Sequence, residues 1–202
     1  TGKVGTSLGG ARVLFLPLGI YAPLTYVSSG QINAIVPYEI EAGLANAQMQ
    51  VVYLGQSSQA FGFQRVAAAP GIFTINGTGT GPGAILNHDG VTVNAASTPE
   101  ARGGVVVLFL TGEGQTGPVG VSGKVTVVSS TLPYTPAPVA PVAVRIGGQV
   151  ATVLFYGEAP GLVSGVMQVN VRIPATVPVG TLAVQVSVGG VNAQSGVTVV
   201  VN

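Results

Sequence analysis

The chain contains no cysteine and no tryptophan. Without cysteine there is no disulfide-stapled scaffold, no thiolate metal site and no Cys nucleophile. Charge is almost as scarce: seven Lys and Arg and six Asp and Glu make up 6% of 202 residues, against roughly 25% in an ordinary domain. The formal net charge is +1 and the basic residues are scattered singly. Phosphate neutralisation needs clustered Lys and Arg, so nucleic acid is excluded as a partner. Long apolar runs are also missing. The longest, residues 105–110 and 197–201, fall far short of the ~20 residues of a spanning helix. A transmembrane β-barrel needs strands of about 9–11 alternating residues and aromatic girdles. An aromatic content of 6% and 14 prolines speak against it.

What remains is a chain that is 47% hydrophobic, with 31 glycines and a mean hydropathy of +0.59. Soluble monomers use surface Lys and Glu to keep apart and to blunt strand edges. A surface without them implies self-association, so copies of itself are the expected partner. The chain starts at Thr1 without Met or a charged-then-apolar leader, which suits a mature secreted product or an excised fragment.

Period-2 alternation punctuated by Gly and Pro recurs along the whole sequence, the pattern of strands and turns. In residues 1–10, Val4, Thr6 and Leu8 alternate with small or polar residues as in a short edge strand. Strands are expected at 12–16, 21–27, 31–36, 48–54, 61–66 and 72–75. Residues 76–83, with four Gly and one Pro, read as an interdomain joint. Beyond it, 84–87 and 91–94 flank a turn at Asp89-Gly90, 105–110 is a central strand and 124–129 another. The four prolines of 132–141 form an extended strap. Gly147-Gly148 closes a hairpin, and strands at 168–173, 182–188 and 197–201 finish the chain. The expected fold is all-β, two tandem Ig-like β-sandwich domains covering residues 1–75 and 76–202.

The second unit repeats the first. Placing Ala22 on Ala151 puts Gly19 on Gly148 and Tyr26 on Phe155. Placing Gln31 on Gln168 puts Asn33 on Asn170, Pro37 on Pro174 and Gly43 on Gly180. The second copy carries about eight extra residues near 158–165, and the last hairpin shifts so that Gly55 meets Gly190. Each copy supplies four strands, too few to close a sandwich alone. The second can recruit strands from 84–129, the first only residues 1–10 and 72–75, so the first domain is underbuilt.

Chemistry-bearing residues are few. The single histidine, His88, sits in the Asp89-Gly90 turn and reads as exposed. A calcium site from Asn87, Asp89 and Glu100 would lack the six to eight oxygens calcium takes. Glu39, Glu41, Glu113 and Glu158 read as solvated loop acids rather than a hydrolytic pair. Gly112-Glu113-Gly114 lacks the following Gly-Lys-Ser of a phosphate loop. The amides Gln31, Asn33, Gln168 and Asn170 stand two apart on one strand face and are read as structural, satisfying backbone groups. Asn76-Gly77-Thr78 is a glycosylation sequon. No matched acid, base and nucleophile exists, so neither an enzyme nor a cofactor is expected.

Several phrases are recognisable together: Ala22-Pro23-Leu24 with Tyr26-Val27, Gly30-Gln31-Ile32-Asn33, Ala69-Pro70-Gly71-Ile72-Phe73, Gly83-Ala84-Ile85-Leu86-Asn87 with Asp89-Gly90, Thr111-Gly112-Glu113-Gly114, Ala159-Pro160-Gly161-Leu162 and Gln168-Val169-Asn170. They resemble the C-terminal domain family of acidobacterial, Solibacter-type secreted proteins. The Leu16-Pro17 insertion departs from that family's short first turn. The resemblance implies an extracellular or surface-associated β-rich module with no catalytic residues to carry over. The resulting expectation is an extracellular structural protein that assembles through strand edges into a fibre, filament or surface layer, with Val4, Thr6 and Leu8 either completing a neighbour's sheet or pairing within their own domain. The alternative is an adhesion or polysaccharide-binding module using loops such as 112–123, with Tyr26 or Tyr156 stacking on sugar.

Overall fold

Alternating β-branched residues and glycine turns leave no segment with a helical period, and the fold follows. The computed structural model describes residues 2–40, 47–131 and 135–202, and among these there is no helix. Seven strands come first: β1 (Ala11–Leu16), β2 (Ile20–Tyr21), β3 (Leu24–Val27), β4 (Ile32–Ala34), β5 (Gln48–Tyr53), β6 (Gln56–Ser57) and β7 (Phe61–Gly62). Short elements follow: β8 (Gly71–Ile72), β9 (Gly81–Pro82) and β10 (Ile85–Leu86). Then come β11 (Val105–Thr111), β12 (Thr116–Gly117), β13 (Ala137–Pro138), β14 (Val142–Ile146) and β15 (Gln149–Glu158). The chain ends with β16 (Val166–Arg172), β17 (Gly180–Val188), β18 (Val191–Asn192) and β19 (Val197–Val201). The chain is all-β, with several sheets and a sandwich-like architecture.

The repeat reaches the level of hydrogen-bond register. In the hairpin of β3 and β4, Leu24 faces Ala34 and Tyr26 faces Asn33, with a bulge at Thr25 between them. In the hairpin of β15 and β16, Val153 faces Val171 and Phe155 faces Asn170, with the bulge at Leu154. The same side chain is skipped in both copies. The copies differ where Pro23 stands in place of Thr152. Proline has no N–H to give the ladder, so the first copy breaks into β2 and β3 while β15 runs unbroken.

That break divides the first copy into a sheet of order β2-β1-β5-β6, with β7 also on β5, and a separate β3-β4 pair. The second copy lies in one ten-stranded sheet of order β10-β11-β16-β15-β14-β17-β19-β9, joined by β8 and β18. Their cores differ accordingly. Val106, Leu108 and Leu110 of β11 are fully buried with Val169, Val171, Val184 and Val186. Burying each such side chain is worth about 1.5–3 kcal/mol. The core cluster of the first copy is small, Val13, Phe15, Ala22 and Leu24, with Ile32, Ala34, Met49 and Phe63 half-covered around them.

Several sequence expectations need correction. Gly71–Ile72, expected to end the first domain, pairs with β11. The expected joint at 76–83 is also tied down: Gly81 and Pro82 pair in parallel with β19, and Thr74 bridges Gly83. The chain therefore crosses into the larger sheet before Gly71, ahead of the expected boundary. Residues 124–129 form no strand; Lys124 and Val125 make isolated bridges to Lys3 and Val163, and Val127 and Val128 are exposed. Glu41, Gly43 and Pro133 lie outside the described residues.

Candidate functional site

In a strand, N–H and C=O of successive residues point to alternate edges. Ser28 N–H donates to Gln31 O and Ile35 N–H to Pro23 O. Gln31, Asn33 and Ile35 therefore turn their backbone toward β3, and Ile32 and Ala34 turn theirs away. The counterparts of Ile32 and Ala34 are Val169 and Val171, which face Leu108 and Val106 of β11. Among the described residues no strand flanks β4 on this outer side. Among the described residues β4 therefore lacks the neighbour that β16 has in β11.

Beside this edge lies a cavity of about 530 Å³, lined by Ala34, Ile35, Ile40, Phe63, Ala68 and Val139 among others. It sits between the open core of the first copy and the loops after β11. Glu113 and Arg65 are the charged residues among those described in its lining.

Next to it the two copies are locked by Tyr38, whose hydroxyl lies 2.7 Å from Glu113 Oε1 and 3.0 Å from Glu158 Oε1. Both carboxyls are buried. Glu158 Oε2 accepts from Thr126 Oγ1 at 2.6 Å and from Ser164 Oγ at 3.0 Å, whereas Glu113 Oε2 has no hydrogen-bond partner among the described residues. A phenol has one proton to donate. It serves one carboxylate, and the second contact is favourable when the other carboxyl is protonated and donates to the phenol oxygen. Glu113, whose Oε2 has no side-chain donor, is the carboxyl placed to hold that proton. Burial pushes the Glu113 carboxyl up to about 7, against the Tyr38 hydroxyl and the Gly165 backbone N–H, which favour its charged form, while the nearby Glu158 adds to the rise. Burial and the two carboxylates likewise push the Tyr38 phenol up.

The backbone around Tyr38 is held as firmly. Its N–H donates to Ser122 Oγ at 3.0 Å, and Gln115 Nε2 donates to its carbonyl at 2.8 Å. Gly120 lets the ring pass, since a Cβ there would sit 2.4 Å from it. Gly112 and Gly114 do the same for residues 67–69: added Cβ atoms would lie 1.8 Å from Ala69 O and 2.2 Å from Ala67 O. The Gly-Glu-Gly motif is therefore a close-approach device that delivers Glu113 to Tyr38.

Reading Glu113 and Glu158 as solvated acids is corrected: both are buried, while Glu39 is exposed. The missed signal was two acids set among Gly and Pro in a chain with only six acids. Glu158 and Ser164 also flank the extra residues that distinguish the second copy. The repeated amides are paired within each strand, Gln31 Nε2 to Asn33 Oδ1 at 2.6 Å and Gln168 Nε2 to Asn170 Oδ1 at 2.8 Å. They bond each other rather than turn backbone. Val4 and Thr6 are half-buried and Leu8 is exposed. Residues 2–5 are anchored within the chain, with Val125 N–H donating to Gly2 O, Val4 N–H to Gly123 O and Leu24 N–H to Gly5 O.

His88 is exposed, with Nδ1 2.9 Å from Glu100 Oε2, a hydrogen bond that raises its pKa. Asp89 accepts from Val91 N–H, Thr92 N–H and Thr92 Oγ1, so its oxygens close the turn. No group of three or more His, Cys, Asp or Glu converges as a metal site among the described residues. Asn76 is exposed, its Oδ1 accepting from Thr78 N–H and Oγ1. No helix is long and apolar enough to cross a membrane among the described residues. The chain matches no protein-family model and no curated protein.

Proposed function

We propose that the chain is an extracellular structural protein, two Ig-like units in tandem, that assembles with copies of itself by strand addition. The acceptor is the outer edge of β4. One observation carries the reading: β16, the repeat counterpart of β4, is flanked on both sides by β15 and β11, while β4 has β3 alone among the described residues. Edge strands left open are normally blunted by charge, proline or bulges, and β4 has none of these on its outer side. The open core behind it supports the same reading, because an added strand would cover Ile32 and Ala34 as β11 covers Val169 and Val171. The resemblance to secreted modules supports an extracellular setting for the assembly.

Ala34→Pro tests the reading. It removes the outward N–H while leaving the bonds to β3, as an edge proline should. Light scattering is expected to show the wild-type chain associating with rising concentration and Ala34→Pro remaining a monomer with unchanged circular dichroism. Equal association of both would sink the β4 edge as acceptor.

A further inference from the structure

The second copy contains a template for the strand that β4 lacks. On β16, the partners of Val171, Val169 and Met167 are Val106, Leu108 and Leu110, three side chains that point into the core and are fully buried. Mapped through the repeat, those positions become Ala34, Ile32 and Gly30. The missing strand must therefore run antiparallel to β4 and carry apolar or β-branched side chains at three alternating positions, the first opposite Ala34.

Residues 2–8, Gly-Lys-Val-Gly-Thr-Ser-Leu, have that pattern. Val4, Thr6 and Leu8 alternate as Val106, Leu108 and Leu110 do in β11. Three backbone bonds and a Lys3–Lys124 β-bridge anchor residues 2–5 in their own chain and are given up when the segment leaves, whereas Leu8 is 43% exposed and no strand forms over the segment. It is also hinged. Leu8 and Ala11 close a tight turn through Gly9 and Gly10, both at positive φ, a backbone that glycine can leave without a Cβ penalty. Exchanging such an element between identical chains is a low-cost route to assembly.

Resting on the assembly reading above, we propose that residues 2–8 of one copy add to β4 of a second copy, antiparallel, with Val4 opposite Ala34, Thr6 opposite Ile32 and Leu8 opposite Gly30. Ile32 and Ala34 exchange backbone hydrogen bonds with the donor, and the half-covered side of the first core is closed. A copy that gives its segment to one neighbour and accepts the segment of another makes a heterologous, head-to-tail contact that propagates.

This register puts Gly5 opposite Asn33, as Val107 stands opposite Asn170. Asn33 turns its backbone toward β3, so the new pair is of the close, non-hydrogen-bonded kind with Cα atoms about 4.5 Å apart, within disulfide reach. Within one chain the two residues lie on opposite edges of β3. Two strand spacings, about 9–10 Å, exceed the ~7 Å limit for a bridge.

The chain has no cysteine, so two single variants, Gly5→Cys and Asn33→Cys, can be mixed and oxidised. The expected result is a disulfide-linked heterodimer on mixing and its loss when either chain is oxidised alone. Mixing Gly5→Cys with Gln31→Cys, two residues out of register, is expected to lose it too. Assembly by light scattering without the Gly5–Asn33 link, or with an equal Gly5–Gln31 link, overturns this donor and register while leaving the β4 edge standing. A wild-type chain that stays monomeric overturns both proposals.

Discussion

Glu113→Gln will stabilise the chain above pH 7 and remove most of its loss of stability between pH 5 and 8. The Glu113 carboxyl is raised from 4.5 to about 7 in the folded chain, so the folded state holds a proton that the unfolded chain has released. The stabilisation is complete below pH 4.5, declines as pH rises and is gone above about 7, a span worth about 3 kcal/mol. Glutamine keeps the shape and removes the charge. Urea denaturation at pH 5, 6, 7 and 8 is the measurement, with a falling midpoint for the wild type and a nearly level one for the variant. His88 is also raised and weakens in the same direction, but it is exposed, and His88→Ala is expected to leave most of the slope. Glu100 is lowered through its bonds to His88, against burial, and Asp89 lies at about 2. Both act below this window. Parallel slopes for wild type and Glu113→Gln would remove Glu113 as the titrating group.

Gly112→Ala is expected to be among the most destabilising single changes, by more than about 3 kcal/mol. Gly112 sits at φ 75°, and its added Cβ would lie 1.8 Å from Ala69 O, a backbone atom bonded in its turn to the same segment, since Ala69 N–H donates to Gly112 O. Neither side can yield without separating residues 67–69 from the loop that carries Glu113. Gly90→Ala is the control: φ is 70°, nothing lies within 4 Å of its Cβ, and only the left-handed backbone penalty of about 1–2 kcal/mol applies. Thermal unfolding of the two variants separates the close approach from the backbone term. Equal shifts would mean that residues 67–69 are not held as described.

The longer strands and the repeat could be read from the sequence because both rest on local signals, whereas the strand expected at 91–94 is only an isolated bridge from Val93 to Leu86. Glycines at Gly19 and Gly148, and the prolines after Val36 and Ile173, mark the same turns and ends in both copies. The shared bulge at Thr25 and Leu154 then follows from the paired residues on either side. Sheet membership was not legible in this way. Nothing local to Gly71–Ile72 says that it joins β11 rather than the first copy, since the choice is made by Ala69 and Gly112 bonding across the molecule. Residues 124–129 show why apolar alternation alone misleads: Val127 and Val128 find no neighbouring strand.

The carboxyl cluster was hidden for the same reason. Tyr38 is 75 residues from Glu113 and 120 from Glu158, so no spacing rule joins them. Composition held a weak signal, because an acid between two glycines can be buried only if something long and polar reaches it. Tyr38, standing where the second copy has Ala175, is that group. The edge of β4 that no described strand covers was legible in part, from counting the strands available to each copy. Its direction and register required the hydrogen bonds of Ser28 and Ile35.

Electron microscopy of the purified chain beside a variant lacking residues 1–10 tests assembly by strand addition most directly. The account predicts ordered polymers from the 202-residue chain and single particles from the shortened one, with both equally folded by circular dichroism. Monodisperse single particles from both would contradict it.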